Sequence, residues 1–278
     1  MLLTIVVPTL GRKKELRDLL DSISFLPCGL FEVVIVDQNE EGFLEGVFDE
    51  YSFCIDYYNV DFVGVSKARN FALSRVNSQF VLFCDDDAVV EKRLIEYLGD
   101  VGNDMDMVAF RVCDLYSERN CMVDFPVDDT VIDEGNFHSI TLEVSQVWNV
   151  ESIRLLGGYD EKLGVGTYFG ADEGIDLLVR ALEAEMKMLY LAKTGFRHPL
   201  KEESGYKRYY QYARGTGRFF RKHCRKPYVF KYIAWLLVKS MIGVGLYLFY
   251  RPNKSLKYCA RLMGFVDGYS KSGKCDVH

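Results

Sequence analysis

The chain has 278 residues, of which 49% are hydrophobic and 27% charged, a globular composition that excludes a low-complexity protein. Its eight cysteines are scattered without a CxxC pair, which argues against a zinc site or a disulfide framework and predicts free thiols in a reducing compartment. The apolar run at the N-terminus is short and lacks a preceding basic region, so it predicts a buried strand rather than a signal peptide.

The net charge of −6 hides a strong division along the chain. Residues 193–278 contain 19 Lys and Arg against 4 Asp and Glu, whereas residues 1–192 contain 15 against 36. This asymmetry predicts that the basic C-terminal portion meets an anionic partner such as nucleic acid or a membrane surface.

The first hundred residues alternate short apolar runs with amphipathic helical patterns. Strands are predicted at residues 2–9, 31–39, 53–60 and 80–87. Helices are predicted at residues 13–23, 41–51 and 65–76. Apolar strands that alternate with helices indicate βαβ units, and therefore an α/β fold in which helices cover both faces of a sheet.

The middle of the chain is mixed in character. It is predicted to contain strands at residues 107–116 and 139–150, then a glycine-rich loop at 157–170. Residues 172–191 follow as a helix that runs into a strand, and a basic turn at 191–199 contains His198.

Residues 229–250 form a largely apolar run that only Lys231 and Lys239 interrupt. Its 22 residues could just span a bilayer, but the lysines and flanking aromatic residues suit a helix lying at the interface at least as well. A buried core helix is the alternative. The basic clusters around it would be drawn to anionic lipids, and its apolar length favours a membrane over nucleic acid. These clusters are Arg221–Lys222, Arg225–Lys226 and Lys254 with Lys257.

Three adjacent acids, Asp85, Asp86 and Asp87, end the apolar run of the fourth predicted strand. Burying carboxylates without a partner costs several kcal/mol, so this position needs positive charge. Mg²⁺ and Mn²⁺ prefer oxygen ligands, which predicts a metal site, with a solvated acidic turn as the alternative. Thr9 and Asp37 also fall at the carboxyl ends of predicted strands, where ligands bind in such sheets.

Five motifs in order then resemble the family 2 glycosyltransferases, which have the GT-A fold. They are TIVVPTLGR, VIVDQN, GVSKARNFAL, FCDDDAVV and GGYDEKLGVGTYFGADEGIDLLVRAL. The resemblance covers most of the chain. It implies a GT-A-type, Rossmann-like mixed sheet in residues 1–200, with a nucleotide-binding half at about 1–100 and an acceptor half at 101–200. Residues 201–278 would form a helical, membrane-associating segment.

The resemblance also implies a reaction: transfer of a sugar from a nucleoside diphosphate donor, with a UDP-sugar favoured, to an acceptor hydroxyl, with inversion. Asp85 and Asp87 would hold Mn²⁺ or Mg²⁺, and His198 could join them. Asp37 would approach the base or ribose. Other expected donor contacts are Thr9, Arg12, Lys67, Arg69, Asp86, Arg214 and Arg218. For Arg69 the alternative is an ion pair that ties its helix to the sheet. Trp148 could stack on an acceptor sugar, or be a core aromatic.

An acceptor hydroxyl needs a general base within hydrogen-bond reach. Asp172, Glu173 and Asp176 are the candidates that the resemblance indicates, and Gly174 departs from the family pattern, so the base is ambiguous. We rank Glu173 slightly ahead of Asp172, with Asp176 in a structural role. Asp172 and Asp176 are expected to face the same way on a helical turn.

Two other functions compete with this interpretation. A sugar nucleotidyltransferase usually needs a glycine-rich phosphate loop after the first strand, and the first turn here has one glycine. A degenerate transferase acting as a binding or scaffold subunit is the other. We expect a saccharide or lipid-linked acceptor, a role in surface polysaccharide synthesis at the cytoplasmic face of the plasma membrane, no nucleic acid, and a possible homo-oligomer.

Overall fold

A computed structural model describes residues 1–102, 104–200 and 205–271. The strands are β1 (Leu3–Thr9), β2 (Phe31–Asp37), β3 (Ile55–Asn59), β4 (Phe80–Phe83), β5 (Val89–Val90), β6 (Met107–Asp114), β7 (Thr130–Val131), β8 (Gln146–Asn149) and β9 (Met188–His198). The helices are α1 (Lys13–Ile23), α2 (Val65–Leu73), α3 (Leu94–Val101), α4 (Val150–Leu155), α5 (Glu173–Glu183), α6 (Tyr206–His223), α7 (Pro227–Tyr247) and α8 (Pro252–Ser270).

The described residues form two compact units. The first contains residues 1–63, 67–158 and 177–200, and holds all nine strands. The second contains residues 64–66, 159–176 and the described part of 201–278, and holds α6, α7 and α8. The seven cysteines among the described residues are free thiols, and Cys275 lies outside them.

The strands of the first unit form one sheet in the order β3-β2-β1-β4-β8-β6-β9-β5, with β7 paired to β9. The pairs β1–β2, β2–β3, β1–β4 and β6–β9 are parallel, whereas β8 is antiparallel to both β4 and β6. The predicted α/β class with a mixed sheet is therefore confirmed. Every residue of β1 is buried, which explains its predominantly apolar sequence.

The predicted helix at residues 41–51 is wrong. The structure has turns there, and Gly42 and Gly46 adopt φ angles of 83° and 71°. An α-helix cannot accommodate this left-handed conformation, so two glycines override the helical spacing of the apolar residues.

Two predicted boundaries in the middle of the chain are also wrong. Residues 139–142 are not in a strand, since the predicted strand at 139–150 is reduced to β8 after a short 3₁₀ turn. The expected basic turn at 191–199 is instead the second half of β9, whose last residue is His198. Lysine, glycine and arginine residues made this segment resemble a turn. Its backbone is instead hydrogen-bonded to β6 as a strand.

The second unit depends on a glycine-rich contact between α6 and α8. A β-carbon added at Gly217, Gly264 or Gly268 would collide with a backbone carbonyl of the facing helix. α8 also packs on α7, where Gly243 lies against the Tyr258 ring and Ser255 Oγ donates to the Val244 carbonyl at 2.9 Å.

Candidate active site

The carboxyl edge of the sheet gathers the polar residues of the first unit. β1, β2 and β4 run parallel, and β6 and β9 share their direction because β8 is antiparallel to both β4 and β6. Thr9, Asp37 and His198 are the last residues of their strands, and the acids at 85–87 follow β4. The convergence expected from the sequence is thus present.

Pairing between β5 and β9 brings the acids to His198. Val89 lies opposite Arg197 in an antiparallel register, so the chain just before β5 meets the end of β9. The His198 Nε2 atom is 3.1 Å from an Asp87 oxygen and 3.7 Å from an Asp85 oxygen. One ligand atom from each of the three residues lies within 4.8 Å of the other two.

This donor set fits a divalent ion. Two carboxylate oxygens and an imidazole nitrogen suit Mn²⁺ or Mg²⁺, and ligands about 2.1 Å from such an ion stand about 3 Å apart when adjacent. The spacing of the Asp85, Asp87 and His198 atoms needs little adjustment to match this. The group could therefore hold a divalent metal.

The negative charge of the group is partly offset from within it. Burial lowers the pKa of the His198 ring, but the close carboxylates of Asp85 and Asp87 outweigh this effect and raise the pKa to about 11. Burial raises the pKa of Asp85, yet the nearby imidazole of His198 and the charge of Arg69 hold the pKa below its ordinary value. A protonated imidazole thus supplies the positive charge that the acids require.

Asp86 faces a different set of partners. Thr9 Oγ1 donates to one of its oxygens at 2.8 Å, and Arg12 Nη1 contacts the other at 2.8 Å. Arg12 also pairs with Asp87 at 2.7 Å. Burial raises the pKa of Asp86 despite these two partners. Thr9 and Arg12 therefore fix the acidic turn. The Arg12 side chain stays 43% exposed and could also contact an anionic ligand.

Asp37 is fully buried at the end of β2. It accepts hydrogen bonds from the Tyr57 hydroxyl at 2.8 Å and from the Asn39 backbone and side-chain nitrogens at 2.9 and 2.6 Å. The Asn39 side-chain oxygen accepts from the Gly11 backbone at 2.7 Å. These bonds tie together the loops after β1 and β2, a suitable rim for a nucleoside.

The remaining predicted residues of the first unit differ in exposure. Arg69 is buried and pairs with Glu143 and with Asp85, so its positive charge stabilises the acidic turn. Lys67 is exposed, with its amino group 4.2 Å from the Phe62 ring centre. Trp148 has no exposed surface because β8 lies between β4 and β6. Of the two roles that we expected for Trp148, the structure supports the core aromatic and not stacking on an acceptor sugar.

The second unit carries the candidate bases. We expected Asp172 on a helical turn, but it lies just before α5, with a φ angle of 70°. One of its oxygens is buried without a hydrogen-bond partner, and Thr216 hydrogen-bonds to its carboxyl group. Burial raises the pKa of Asp172 to about 7, with the neighbouring charges of Glu173 and Asp176 adding to it and Thr216 opposing it.

Gly215 allows α6 to approach Asp172. A β-carbon at Gly215 would collide with the Ala171 carbonyl, so only glycine permits this contact between the helix and the segment before α5. Thr216 follows directly and reaches the carboxyl group. Sequence analysis missed Thr216, although the triplet GTG within a helical pattern is the signal that could have found it.

Asp176 is fully buried and has basic partners on α6. His223 Nε2 lies 2.8 Å from one of its oxygens, and Lys222 Nζ lies 2.7 Å from the same oxygen. Lys222 also contacts Asp160 at 3.0 Å. The cluster Arg221–Lys222, which we expected to meet lipids, is therefore partly engaged inside the protein.

Replacing Asp176 by asparagine is expected to lower the free energy of unfolding by about 3–5 kcal/mol, because it breaks a buried ion pair from one side. Urea denaturation measures the change. Asp160→Asn is the matched control: it removes a partner of Lys222 that is 19% exposed, and we expect a loss of about 1 kcal/mol or less. Equal losses in the two proteins would contradict the structural role of Asp176.

Arg214 and Arg218 lie on α6, where each covers an aromatic ring. Arg214 is 4.0 Å from the Tyr168 ring centre, and Arg218 is 5.5 Å from that of Phe169. The Nε atoms of both guanidinium groups are buried without a hydrogen-bond partner. Their expected contact with a diphosphate stays a prediction.

The comparisons with known proteins agree with these observations. The model for the family "Glycosyl transferase family 2" matches residues 4–120. The glycosyltransferase GlyA of Streptococcus pneumoniae serotype 4 (strain ATCC BAA-334 / TIGR4) is 29% identical over 110 residues, which are 36% of this chain and 16% of the relative. The chain thus spans a small part of that protein.

Solved structures show the same fold. S. aureus TarS residues 1–349 superposes with a TM-score of 0.70 at 16% identity, over 97% of this chain and 81% of that one. The same protein in complex with UDP-GlcNAc gives a TM-score of 0.63 at 16% identity, over 97% and 89% of the two chains. A mannosyltransferase from Pyrobaculum calidifontis in complex with GDP-Man and Mn²⁺ gives 0.63 at 14% identity, over 96% and 86%.

Proposed function

We propose, because residues 4–120 match the model of glycosyl transferase family 2, that this protein transfers a sugar from a nucleoside diphosphate donor to an acceptor hydroxyl. The observation that carries the proposal is the group of Asp85, Asp87 and His198 at the carboxyl edge of the sheet. Ligands bind at this edge in open α/β sheets, and a diphosphate calls for a cation there.

Five site residues of the first unit have roles in this proposal. Asp85, Asp87 and His198 would hold the divalent ion, which when bound supplies Lewis-acid stabilisation of the leaving diphosphate. The exposed guanidinium of Arg12 would contact a phosphate. Asp37 and the loops that it ties together would receive the nucleoside, and we favour uridine. The UDP-GlcNAc complex of TarS supports that choice.

Asp172 is our choice for the general base, ahead of Glu173. Its pKa of about 7 leaves a large ionised fraction at neutral pH while keeping the carboxylate basic enough to accept a hydroxyl proton. A single base and no covalent intermediate would invert the anomeric centre. We further propose a saccharide or lipid-linked acceptor, for surface polysaccharide synthesis at the cytoplasmic face of the membrane.

The test is a thermal-shift series with UDP, GDP, CDP and dTDP, each with and without Mn²⁺. We expect UDP with Mn²⁺ to raise the melting temperature by several degrees, since ligand at a hundred times its dissociation constant stabilises a protein by about 2.7 kcal/mol. Neither UDP nor Mn²⁺ alone should produce this shift.

The double variant Asp85→Ala/Asp87→Ala is expected to lose the shift. Asp18→Ala/Asp128→Ala is the matched control, because it removes two exposed carboxylates and the same charge. Stabilisation by none of the four nucleotides would favour a binding subunit and defeat the proposal. Transfer of a nucleotidyl group to a sugar phosphate would instead identify a sugar nucleotidyltransferase.

A further inference from the structure

The outer face of α7 is an exposed apolar surface that the proposed function leaves unexplained. Its inner face carries the buried residues Val229, Ile233, Ser240 and Gly243, the last of which packs against Tyr258 of α8. The opposite side carries a stripe of large apolar residues at helical spacing, each between 48% and 63% exposed. The stripe consists of Trp235, Val238, Ile242 and Leu246.

The exposed apolar surface extends beyond this stripe. Phe230 and Met241 flank it at 57% and 55% exposure, and Phe249 and Tyr250 follow the helix at 85% and 86%. Contiguous apolar surface of this kind usually marks an interface. α7 is also the one helix among the described residues that is long and apolar enough to cross a membrane by length and composition, and 22% of its apolar window is buried.

The positive charge around this face indicates what kind of partner it binds. Residues 205–271 contain fifteen Lys and Arg against one acid, Asp267. Lys231 and Lys239 lie on the apolar face itself, and Lys239 Nζ is 4.8 Å from the Trp235 ring centre. Long lysine side chains beside tryptophan reach from an apolar surface to lipid headgroups. An anionic bilayer complements this combination of charge and apolar area.

The packing of α8 decides how the helix meets the bilayer. α7 is about 31 Å long, enough to span the hydrocarbon core. However, α8 covers its inner face and carries Lys254, Lys257 and Arg261. A spanning orientation would take Lys257, Arg261 and Lys239 into hydrocarbon, where each costs several kcal/mol.

We propose that the outer face of α7 binds the surface of an anionic membrane, with the helix lying in the plane of the interface and not crossing it. Trp235, Val238, Ile242 and Leu246 enter the boundary between headgroups and acyl chains. Lys231 and Lys239 reach the lipid phosphates. The proposal concerns the second unit alone and does not depend on the proposed sugar transfer.

The first experiment is flotation of the full chain with vesicles of phosphatidylcholine alone or with about a third phosphatidylglycerol. We expect binding to the anionic vesicles, weakened by salt. Trp235→Glu/Ile242→Glu is expected to reduce binding at least about tenfold. The control, Leu155→Glu/Val127→Glu, introduces the same charges at residues that are 83% and 89% exposed, and should change binding by less than about twofold.

The second experiment measures the depth of Trp235 with brominated lipids. Trp235 lies about 12 Å along the helix from its first residue, so a spanning helix would place it close to the bilayer centre. Bromines near the headgroups should quench its fluorescence more than bromines near the chain ends. Trp148, which is fully buried, provides the unquenched background.

Several outcomes would overturn the proposal. Failure of the wild-type protein to float with anionic vesicles would do so, as would equal binding by the Trp235→Glu/Ile242→Glu protein. Stronger quenching by deep bromines would establish a spanning helix. A wild-type oligomer that ignores vesicles and that this variant dissociates in sedimentation would assign the face to a second copy of the chain. Nucleotide-dependent thermal shifts of the variant report separately on the proposed function.

Discussion

The Asp172→Asn protein is expected to bind the nucleotide sugar as the wild type does and to transfer the sugar about a thousandfold more slowly, the usual effect of removing a general base. Asparagine suits this position because it fills the same volume and tolerates the φ angle of 70°. Initial rates at saturating donor, together with donor affinity from calorimetry, separate the loss of chemistry from a loss of binding.

The pH dependence of kcat/KM identifies the base independently, because kcat/KM reports the pKa values of the free enzyme. The base must be ionised, so the rate should fall tenfold for each unit of pH below about 7. The hydrogen bond from Thr216 lowers the pKa of Asp172, so Thr216→Val is expected to move this limb to higher pH and Thr216→Ser to restore it. A full rate in Asp172→Asn with a collapse in Glu173→Gln would reassign the base to Glu173.

Unfolding cannot explain the expected loss of activity. The pKa of Asp172 is raised in the folded protein from 3.8 to about 7, so the folded state loses stability as pH rises through this interval. Asparagine carries no charge and avoids this loss. At pH 8 the melting temperature of Asp172→Asn should therefore equal or exceed that of the wild type.

Replacing His198 by alanine is expected to weaken Mn²⁺ binding at least about a hundredfold, because it removes one of three protein ligands. In the wild type, the ion must displace the proton that His198 shares with Asp85 and Asp87. Since the pKa of His198 is about 11, affinity should rise with pH throughout the neutral range, with about one proton released per ion bound.

Calorimetry in buffers of different ionisation enthalpy counts the released protons. In the metal-free protein, the raised pKa means that His198 contributes its full stabilisation below pH 6.5 and loses it as pH rises through about 11. His198→Ala should therefore melt at a lower temperature at neutral pH, and its ion binding should release fewer protons. Unchanged affinity and proton release would exclude His198 as a ligand.

The sequence predicted one half of the candidate metal site well. β1, β2 and β4 are buried, mainly apolar parallel strands, so their ends could be located and Thr9, Asp37 and the acids at 85–87 placed at one edge. Local patterns suffice for such strands, because side-chain burial alone defines them.

The other half depends on contacts between distant parts of the chain. His198 meets Asp87 only because two-residue β5 pairs with the end of β9, a pairing that no local pattern encodes. The contact of Thr216 with Asp172 likewise needs α6 to approach through Gly215. For Trp148 the sequence could not decide between two roles, because an aromatic residue can stack on a sugar or be buried in a central strand. The structure shows that it is buried.

Producers of proteins with exposed apolar helices commonly shorten the chain to improve solubility. The glycine-rich contact between α6 and α8 makes that strategy costly here. Gly217 packs directly on the backbone of α8, and without α8 no side chain at this position would cover the exposed backbone of α6. A chain that ends after α6 would leave a bare helix face on the element that carries Thr216. Polar substitutions on the outer face of α7 are the better route to a soluble, intact protein.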